Sequence, residues 1–316
     1  MDQELTSRLE ALKIKYSASG QELLDFLDGL LEADYITYWD YIRLDSLLSL
    51  QQPRTPHHDE SIFIIYHQIT ELYFKLCLHE LRFIVKNEKI DLESFNEGIR
   101  RCNRYFESLE QSFSIMVDGM KRDQFLKFRM SLIPASGFQS AQYRMIELAI
   151  ARLNDLVHFE KREEYSNEKN ISILLDNIYW KKGATIENSG EKTLTLLQFE
   201  SKYGNEFKSQ AEEYQGNTVS DQAKSLLKNG LLTDELKNSL RNLDQHINVL
   251  WPLQHYRSAV RHLAKQSSDV RATGGTNWQK YLPPKFQKRI FFPFLWSERE
   301  KNEWGKSFYD SYIKEH

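Results

Sequence analysis

The chain has 316 residues, with 42 Lys and Arg against 45 Asp and Glu and a formal charge of −3. That balance lacks the basic excess that nucleic acid or an anionic membrane selects for, so neither is expected as a partner. Gly (13) and Pro (7) are scarce while Leu, Glu, Lys and Gln are plentiful, and a chain so poor in breakers is expected to be all-α.

In chain order, the N-terminal Met-Asp-Gln-Glu-Leu is acidic and has no signal-peptide apolar region. Ser19 and Glu22 have capping-box spacing before a helix running towards Ala33. Residues 35–51 read as a second short helix, ended by Pro53 and Pro56, so about 1–50 form a helical arm. From Asp59 to about Asn87 runs a helix that is apolar almost all round (Ile62, Phe63, Ile64, Ile65, Ile69, Leu72, Phe74, Leu76, Leu81, Ile84). A helix without a polar face is expected to lie buried among others, as the central element. Leu92, Phe95, Ile99, Cys102, Phe106, Leu109, Phe113 and Met116 then step by three and four, one stripe of a bundle helix. A helix over about 122–132 stops at Pro134, and Pro134-Ala135-Ser136-Gly137 leads into another with the stripe Tyr143, Ile146, Ile150 and Leu153. Between Glu160 and Lys192 the periodicity dissolves into polar sequence, expected to be an excursion or mobile loop. Thr233 caps a helix carrying Leu236, Leu240, Leu243 and Leu250, kinked or restarted at Pro252. Its continuation carries Leu253, Tyr256, Val260 and Leu263, and the aromatic tail (Phe291, Phe292, Phe294, Trp296, Trp304) is expected to pack back on the bundle. There is no internal repeat and no apolar run near the roughly 20 residues that span a bilayer. Residues 1–316 therefore read as one all-helical domain. Cys77 and Cys102 sit inside apolar helical patterns, which indicates core packing in a reducing, cytoplasmic setting and not a disulfide framework or zinc site.

Nine histidines must be sorted. His57, His58 and His316 fall in loop or terminus, and His79, His158 and His246 have no arrangement that points to a site. His255 lies off its helix's apolar stripe, on a face with Trp251, Ser258, Ala259 and His262. One large aromatic among small residues leaves room for a flat macrocycle, and a neutral imidazole is a standard axial haem ligand. A core histidine bonded to a neighbouring helix fits the same placement. His67 stands in the most apolar helix, one turn after Phe63 and two turns before Phe74. Desolvation there favours the neutral imidazole, able to make one hydrogen bond to a ligand in a dry pocket or to a backbone carbonyl. Arg129 can hold a carboxylate bidentately, although a surface ion pair is the commoner use of an arginine. Amides of the Arg271-Ala-Thr-Gly-Gly-Thr276 turn can cradle an anion. Glu-x-x-His, His-Glu-x-x-His, Walker and GxGxxG motifs are all missing, which leaves haem as the leading redox cofactor.

The stretch His58-Asp59-Glu60-Ser61-Ile62-Phe63-Ile64-Ile65-Tyr66-His67-Gln68, continuing into Glu71-Leu72-Tyr73-Phe74-Lys75, resembles the signature of the tryptophan 2,3-dioxygenase family. Phe128-Arg129 through Pro134-Ala135-Ser136-Gly137-Phe138-Gln139-Ser140 is similar to a second block of that family. Leu250-Trp251 with His255, then Thr273-Gly274-Gly275, is similar to its proximal region, and Tyr38 and Tyr41 before Leu44-Asp45 complete the set. The resemblance implies an all-helical homotetramer that binds haem b and opens the indole ring of L-tryptophan with O2, giving N-formylkynurenine in a redox-neutral reaction. It makes His255 the proximal iron ligand with Trp251 beside the cofactor, and His67 the distal catalytic residue near the indole N–H. Arg129 would grip the substrate carboxylate and Thr273 the amino-carboxylate end. Phe63, Phe125 and Leu132 would wall the ring, and the amides near Ser136 and Gly137 would lie close to the oxygen molecule. Tyr38, Tyr41 and Ile42 would reach into a neighbouring subunit's pocket.

The chain also departs from the family. Tyr73 stands where the family usually has Trp, Pro252 has no usual counterpart, the segment from His255 to Thr273 is longer, and Thr276-Asn277-Trp278-Gln279 replaces a Ser/Gly-rich run. These changes cluster near the loop over the amino-acid head group. A modified tryptophan or other indole as substrate, and a haem sensor without turnover, therefore stand beside L-tryptophan oxidation as alternatives.

Overall fold

The computed structural model describes residues 2–17, 20, 22–87, 89, 91–133, 135, 137–185, 190–263, 283–306 and 310. Two compact units divide the chain, Met1–Gln52 and Pro53–His316. Among the described residues the only β-structure is two isolated bridges, Val157 with Ile178 and Thr185 with Lys192. The fold is all-α. No described helix is long and apolar enough to cross a membrane.

In the first unit, α1 (Gln3–Ser17) packs on α2 (Leu23–Glu32), with Tyr16 stacked on Phe26 at 4.3 Å between ring centroids. Of the expected Ser19–Glu22 capping box, Ser19 lies outside the described residues, and Glu22 is itself the residue preceding the helix, with no side-chain cap. The single helix expected over 35–51 is instead two short pieces, α3 (Tyr38–Tyr41) and α4 (Leu44–Leu48). Arg43 separates them with φ at 53°, a left-handed conformation through which a right-handed helix cannot continue. None of these four helices buries a residue.

The second unit is organised by α5 (Asp59–Lys86), 28 residues and hence about 42 Å long at 1.5 Å per residue. Its ends fall where the sequence places them, with Asn87 as C-cap. It packs against α6 (Leu92–Ser112), whose stripe from Phe95 to Leu109 is buried as expected. Cys77 and Cys102 meet in this interface as free, buried thiols. Burial of α5 on all sides does not hold. Tyr66, Phe74, Leu78, Leu81 and Val85 face the core, but Ile65, Ile69, Leu72, Leu76 and Phe83 on the opposite side are 38% to 55% exposed. Apolar content alone does not distinguish a surrounded helix from one covered on a single side.

After α7 (Ser114–Val117), α8 (Arg122–Phe128) tightens into a 3-10 turn, Arg129–Leu132. Next, α9 (Ala141–Ile150) starts at Ser140, whose side chain accepts from the Tyr143 N–H. The polar excursion expected over 160–192 is partly helical, with α10 (Ile171–Asp176) and α11 (Tyr179–Lys182). Leu174, Ile178, Tyr179 and Trp180 there are buried. Helices of four to six residues show too little of a 3.6-residue period to be seen in sequence. Two further helices, α12 (Leu194–Tyr214) and α13 (Val219–Lys228), went unassigned although Thr193 caps the first and a Thr218–Asp221 capping box starts the second.

Thr233 does cap α14 (Asp234–Gln245), accepting from the Leu236 N–H. A π turn, His246–Leu250, then leads into α15 (Trp251–Leu263). In the tail, Phe291, Phe292, Trp296 and Trp304 are buried against the core cluster as expected. Buried Asp244 ties the tail to α14 by accepting from Phe291 N at 2.9 Å, Phe292 N at 3.2 Å, Trp296 Nε1 at 2.9 Å and Asn248 Nδ2 at 2.7 Å.

Candidate active site

On α15 the His255 Nδ1 lies 3.0 Å from the Trp251 carbonyl oxygen. A carbonyl can only accept, so Nδ1 carries the proton and Nε2 keeps its lone pair. The ring sits edge-on to Trp251 at 4.6 Å and tilted against Phe113 at 4.8 Å. Burial pushes its pKa down to about 4, against the pull of the Trp251 carbonyl, and His67 is near enough to disfavour a second charge. The imidazole is neutral, held in one tautomer and half-buried, and among the described residues Nε2 has no hydrogen-bond partner.

His67 on α5 follows the same pattern. Its Nδ1 donates to the Phe63 carbonyl at 2.7 Å, leaving Nε2 as an acceptor. The ring lies 4.0 Å from Phe63 and 6.3 Å from Tyr66. It is open to solvent on one side, yet desolvation by surrounding protein lowers its pKa despite the Phe63 carbonyl and Glu71. The buried position expected from its apolar helix is therefore not what the structure shows: the His67 side chain is exposed.

Phe63, Phe125 and Phe128 form an aromatic wall next to His67, with centroids 5.5 to 6.4 Å apart. Leu132 packs on the core close by, in the 3-10 turn whose first residue is the buried Arg129. Burial lowers the Arg129 pKa, although a guanidinium remains charged at any physiological pH. Gly137 is exposed in the turn before α9, and a Cβ there would meet nothing within 4 Å. Packing thus does not demand a glycine. Trp251 is buried between Phe74, Phe113 and His255. Tyr38, Tyr41 and Ile42 belong to the first unit and are exposed. Ser136 and Thr273 lie outside the described residues.

Three acidic residues support this site in ways sequence reasoning missed. Asp59 accepts from the Lys121 N–H at 2.7 Å, hanging the start of α8 from the start of α5. Glu60 accepts from the Arg54 and Thr55 N–H groups at 2.9 and 2.7 Å. Burial raises both carboxyls, but these hydrogen bonds outweigh it and hold them below the usual range. Glu71 accepts from Ser140 Oγ at 2.6 Å and Gln142 Nε2 at 2.8 Å, fixing the loop before α9 against the helix of His67. A buried-looking Asp-Glu pair at a helix start was the available signal.

The donor set suits a porphyrin iron. His255 offers a neutral imidazole with a constrained tautomer, and Phe63, Phe125 and Phe128 offer apolar rings. Among the described residues no cluster of three or more His, Cys, Asp or Glu offers a competing metal site. The sequence model of the family described as tryptophan 2,3-dioxygenase matches residues 29–178. Tryptophan 2,3-dioxygenase of Bacillus thuringiensis subsp. konkukian (strain 97-27) is 30% identical over 276 residues, covering 84% of this chain and 92% of its own length. The chain belongs to the tryptophan 2,3-dioxygenase family. The Bacillus anthracis member is 30% identical over 273 residues with the same coverage. That of Polaromonas naphthalenivorans (strain CJ2) reaches 42% over 120 residues, 38% of this chain and 42% of its own. As a member of this dioxygenase family the chain is an oxidoreductase. The segment matched by the tryptophan 2,3-dioxygenase model holds His67 and Arg129 but ends well before His255.

Proposed function

We propose that this chain binds haem b through His255 and uses O2 to open the indole ring of L-tryptophan, giving N-formylkynurenine. The observation that carries the reading is the pair of neutral imidazoles, His255 and His67, each with Nδ1 tied to the carbonyl four residues back and the two near enough for a charge on one to disfavour a charge on the other. Haem bound at His255 supplies the activation of O2. The protein's own part is orientation and exclusion of water.

His67 Nε2 is an acceptor, which suits an indole N–H as donor. With Nδ1 already bonded to Phe63 it orients the ring without having to remove the proton. Phe63, Phe125 and Leu132 supply apolar surface for the indole, and Arg129 a bidentate partner for the carboxylate. Buried away from water, that ion pair also selects for an amino acid over a bare indole. We assign Thr273 to the amino-carboxylate end, and the amides at Ser136 and Gly137 to the edge facing oxygen. The open space around Gly137 supports the latter. Tyr38, Tyr41 and Ile42, exposed in a unit whose helices bury nothing, are assigned to a neighbouring subunit's pocket in a homotetramer.

The test is a spectrum of the reduced, haem-loaded protein under CO, with turnover of L-tryptophan followed as N-formylkynurenine. His255→Ala is expected to lose haem or the bands of a histidine-ligated ferrous form. A native spectrum in that variant would transfer the ligand role to His67 or His262.

A further inference from the structure

Pro252 stands second in the helix that carries His255. A proline has no N–H to return to the preceding turn, and that turn is π-helical, with the Trp251 N–H reaching five residues back to the His246 carbonyl. The Ile247 carbonyl is left without a donor from either kind of helix. Trp251, four residues on, is bonded to His246, and Pro252, five residues on, has no hydrogen to give. Ile247 is fully buried, where an unpaired carbonyl is costly.

Two buried side chains from distant parts of the chain satisfy it. Tyr143 Oη, from α9, donates at 2.7 Å, and Arg289 Nη2, from the tail, donates at 3.2 Å while also reaching Tyr143 Oη at 3.0 Å. Behind them Arg289 donates to Glu147 and Tyr179, Arg144 donates to Tyr179 Oη at 2.7 Å, and Arg144 pairs with Glu147 at 3.1 Å. Two guanidiniums thus share one carboxylate. The surplus positive charge needs neutral acceptors, and the Ile247 carbonyl is one of them. Asp244 already pins the tail to the bundle, so anchoring alone does not call for an arginine aimed at this carbonyl.

We propose that Tyr143 and Arg289 are positioning residues for the iron ligand: by holding the Ile247 carbonyl they fix the π turn that sets the direction of His255. A π turn inserts one extra residue, so every side chain after it is rotated by about 100° relative to an uninterrupted helix. That rotation determines which wall the His255 Nε2 faces. The proposal rests on His255 as the ligand.

The experiment takes the haem-loaded protein and its Tyr143→Phe, Arg289→Met, Arg289→Lys and His255→Ala variants. It reads the iron–histidine stretching band of the ferrous form by resonance Raman, haem affinity by transfer to a competing apoprotein, and Tm with and without haem. Tyr143→Phe and Arg289→Met are expected to shift the band and weaken haem binding about 10- to 100-fold, as loss of an outer partner of a metal ligand does. Arg289→Lys, which keeps a charged donor, should recover part of the loss. Lower Tm values with the band and affinity unchanged would mean a purely structural cluster and would overturn the proposal. Should Arg289→Met fail to fold, Tyr143→Phe, which removes a single oxygen, decides the question. His255→Ala retaining the band would instead sink the ligand reading itself, whereas its losing the band while Tyr143→Phe leaves it untouched sinks only the positioning role.

Discussion

Replacing Asp244 by Asn should change the way stability depends on pH, and the sign can be worked out in advance. Asp244 is fully buried and burial pushes its pKa up to about 6, although two backbone N–H groups, Asn248 and Trp296 all lower it. In the unfolded chain the same carboxyl titrates near its model value of 3.8. A group whose folded pKa is raised binds its proton more tightly when folded. Its contribution is therefore complete below about pH 4, declines as pH rises, and levels off above about pH 6. At about 1.4 kcal/mol per pKa unit the whole effect is about 3 kcal/mol, of which about 2 kcal/mol falls between pH 4.5 and 7. Asn cannot ionise. Urea unfolding of the parent and of Asp244→Asn at several pH values should give a stability difference that shifts against the parent by about 2 kcal/mol over that range. Other titrating groups cancel in the difference. A flat difference, or one moving in the parent's favour as pH rises, would show that the four donors outweigh burial and that Asp244 is an ordinary ionised acceptor.

Arg129→Leu should cut kcat/KM for L-tryptophan at least about thirtyfold, the equivalent of about 2 kcal/mol for a lost charge-assisted contact, with the haem spectrum unchanged. Equal turnover of tryptamine and L-tryptophan by the parent would contradict the carboxylate role. His67→Ser should retain slow turnover, since one orienting hydrogen bond is worth about 1 to 3 kcal/mol, and should improve turnover of 1-methyltryptophan, which has no N–H to donate. Complete loss of L-tryptophan turnover with haem and substrate still bound would make His67 an obligatory base. Asp59→Ala, which strands the Lys121 N–H, should lower stability by about 1 to 3 kcal/mol. Because the Asp59 pKa lies below its ordinary value, the parent's advantage over this variant should shrink as pH falls through the carboxylate range, as measured by thermal unfolding.

The long elements were readable because they repeat their pattern often enough. The stripe from Phe95 to Leu109 covers several turns of α6, and the bounds of α5 followed from its long apolar run after the Pro53 and Pro56 break. Short α10 and α11 were hidden among polar residues, and two capped helices, α12 and α13, were passed over despite Thr193 and Thr218. In the site, His67 and His255 stood out because each is a polar group on an otherwise apolar or small-residue face. The bond from Nδ1 to the carbonyl four residues back was equally local and could have been anticipated for both. Asp59 was not legible, since its partner Lys121 lies beyond the whole of α6. Arg289 was less so: its target is a backbone carbonyl whose vacancy depends on a proline in another helix. Nor could composition say that α5 has an uncovered side, because exposed and buried leucines look alike in sequence.

The two imidazoles sit far apart in the helical unit's chain, His67 in its first long helix and His255 in the last long one among the described residues. During synthesis α5, α6 and α8 leave the ribosome early and can pack together, so the aromatic wall beside His67 can form before any residue of α15 has been made. With His255 as the iron ligand, a polypeptide released before α15 would carry the substrate side of the pocket with nothing to hold the cofactor. Haem would then be unable to rescue unfinished or truncated chains, and its stabilising effect would be confined to molecules translated past residue 255.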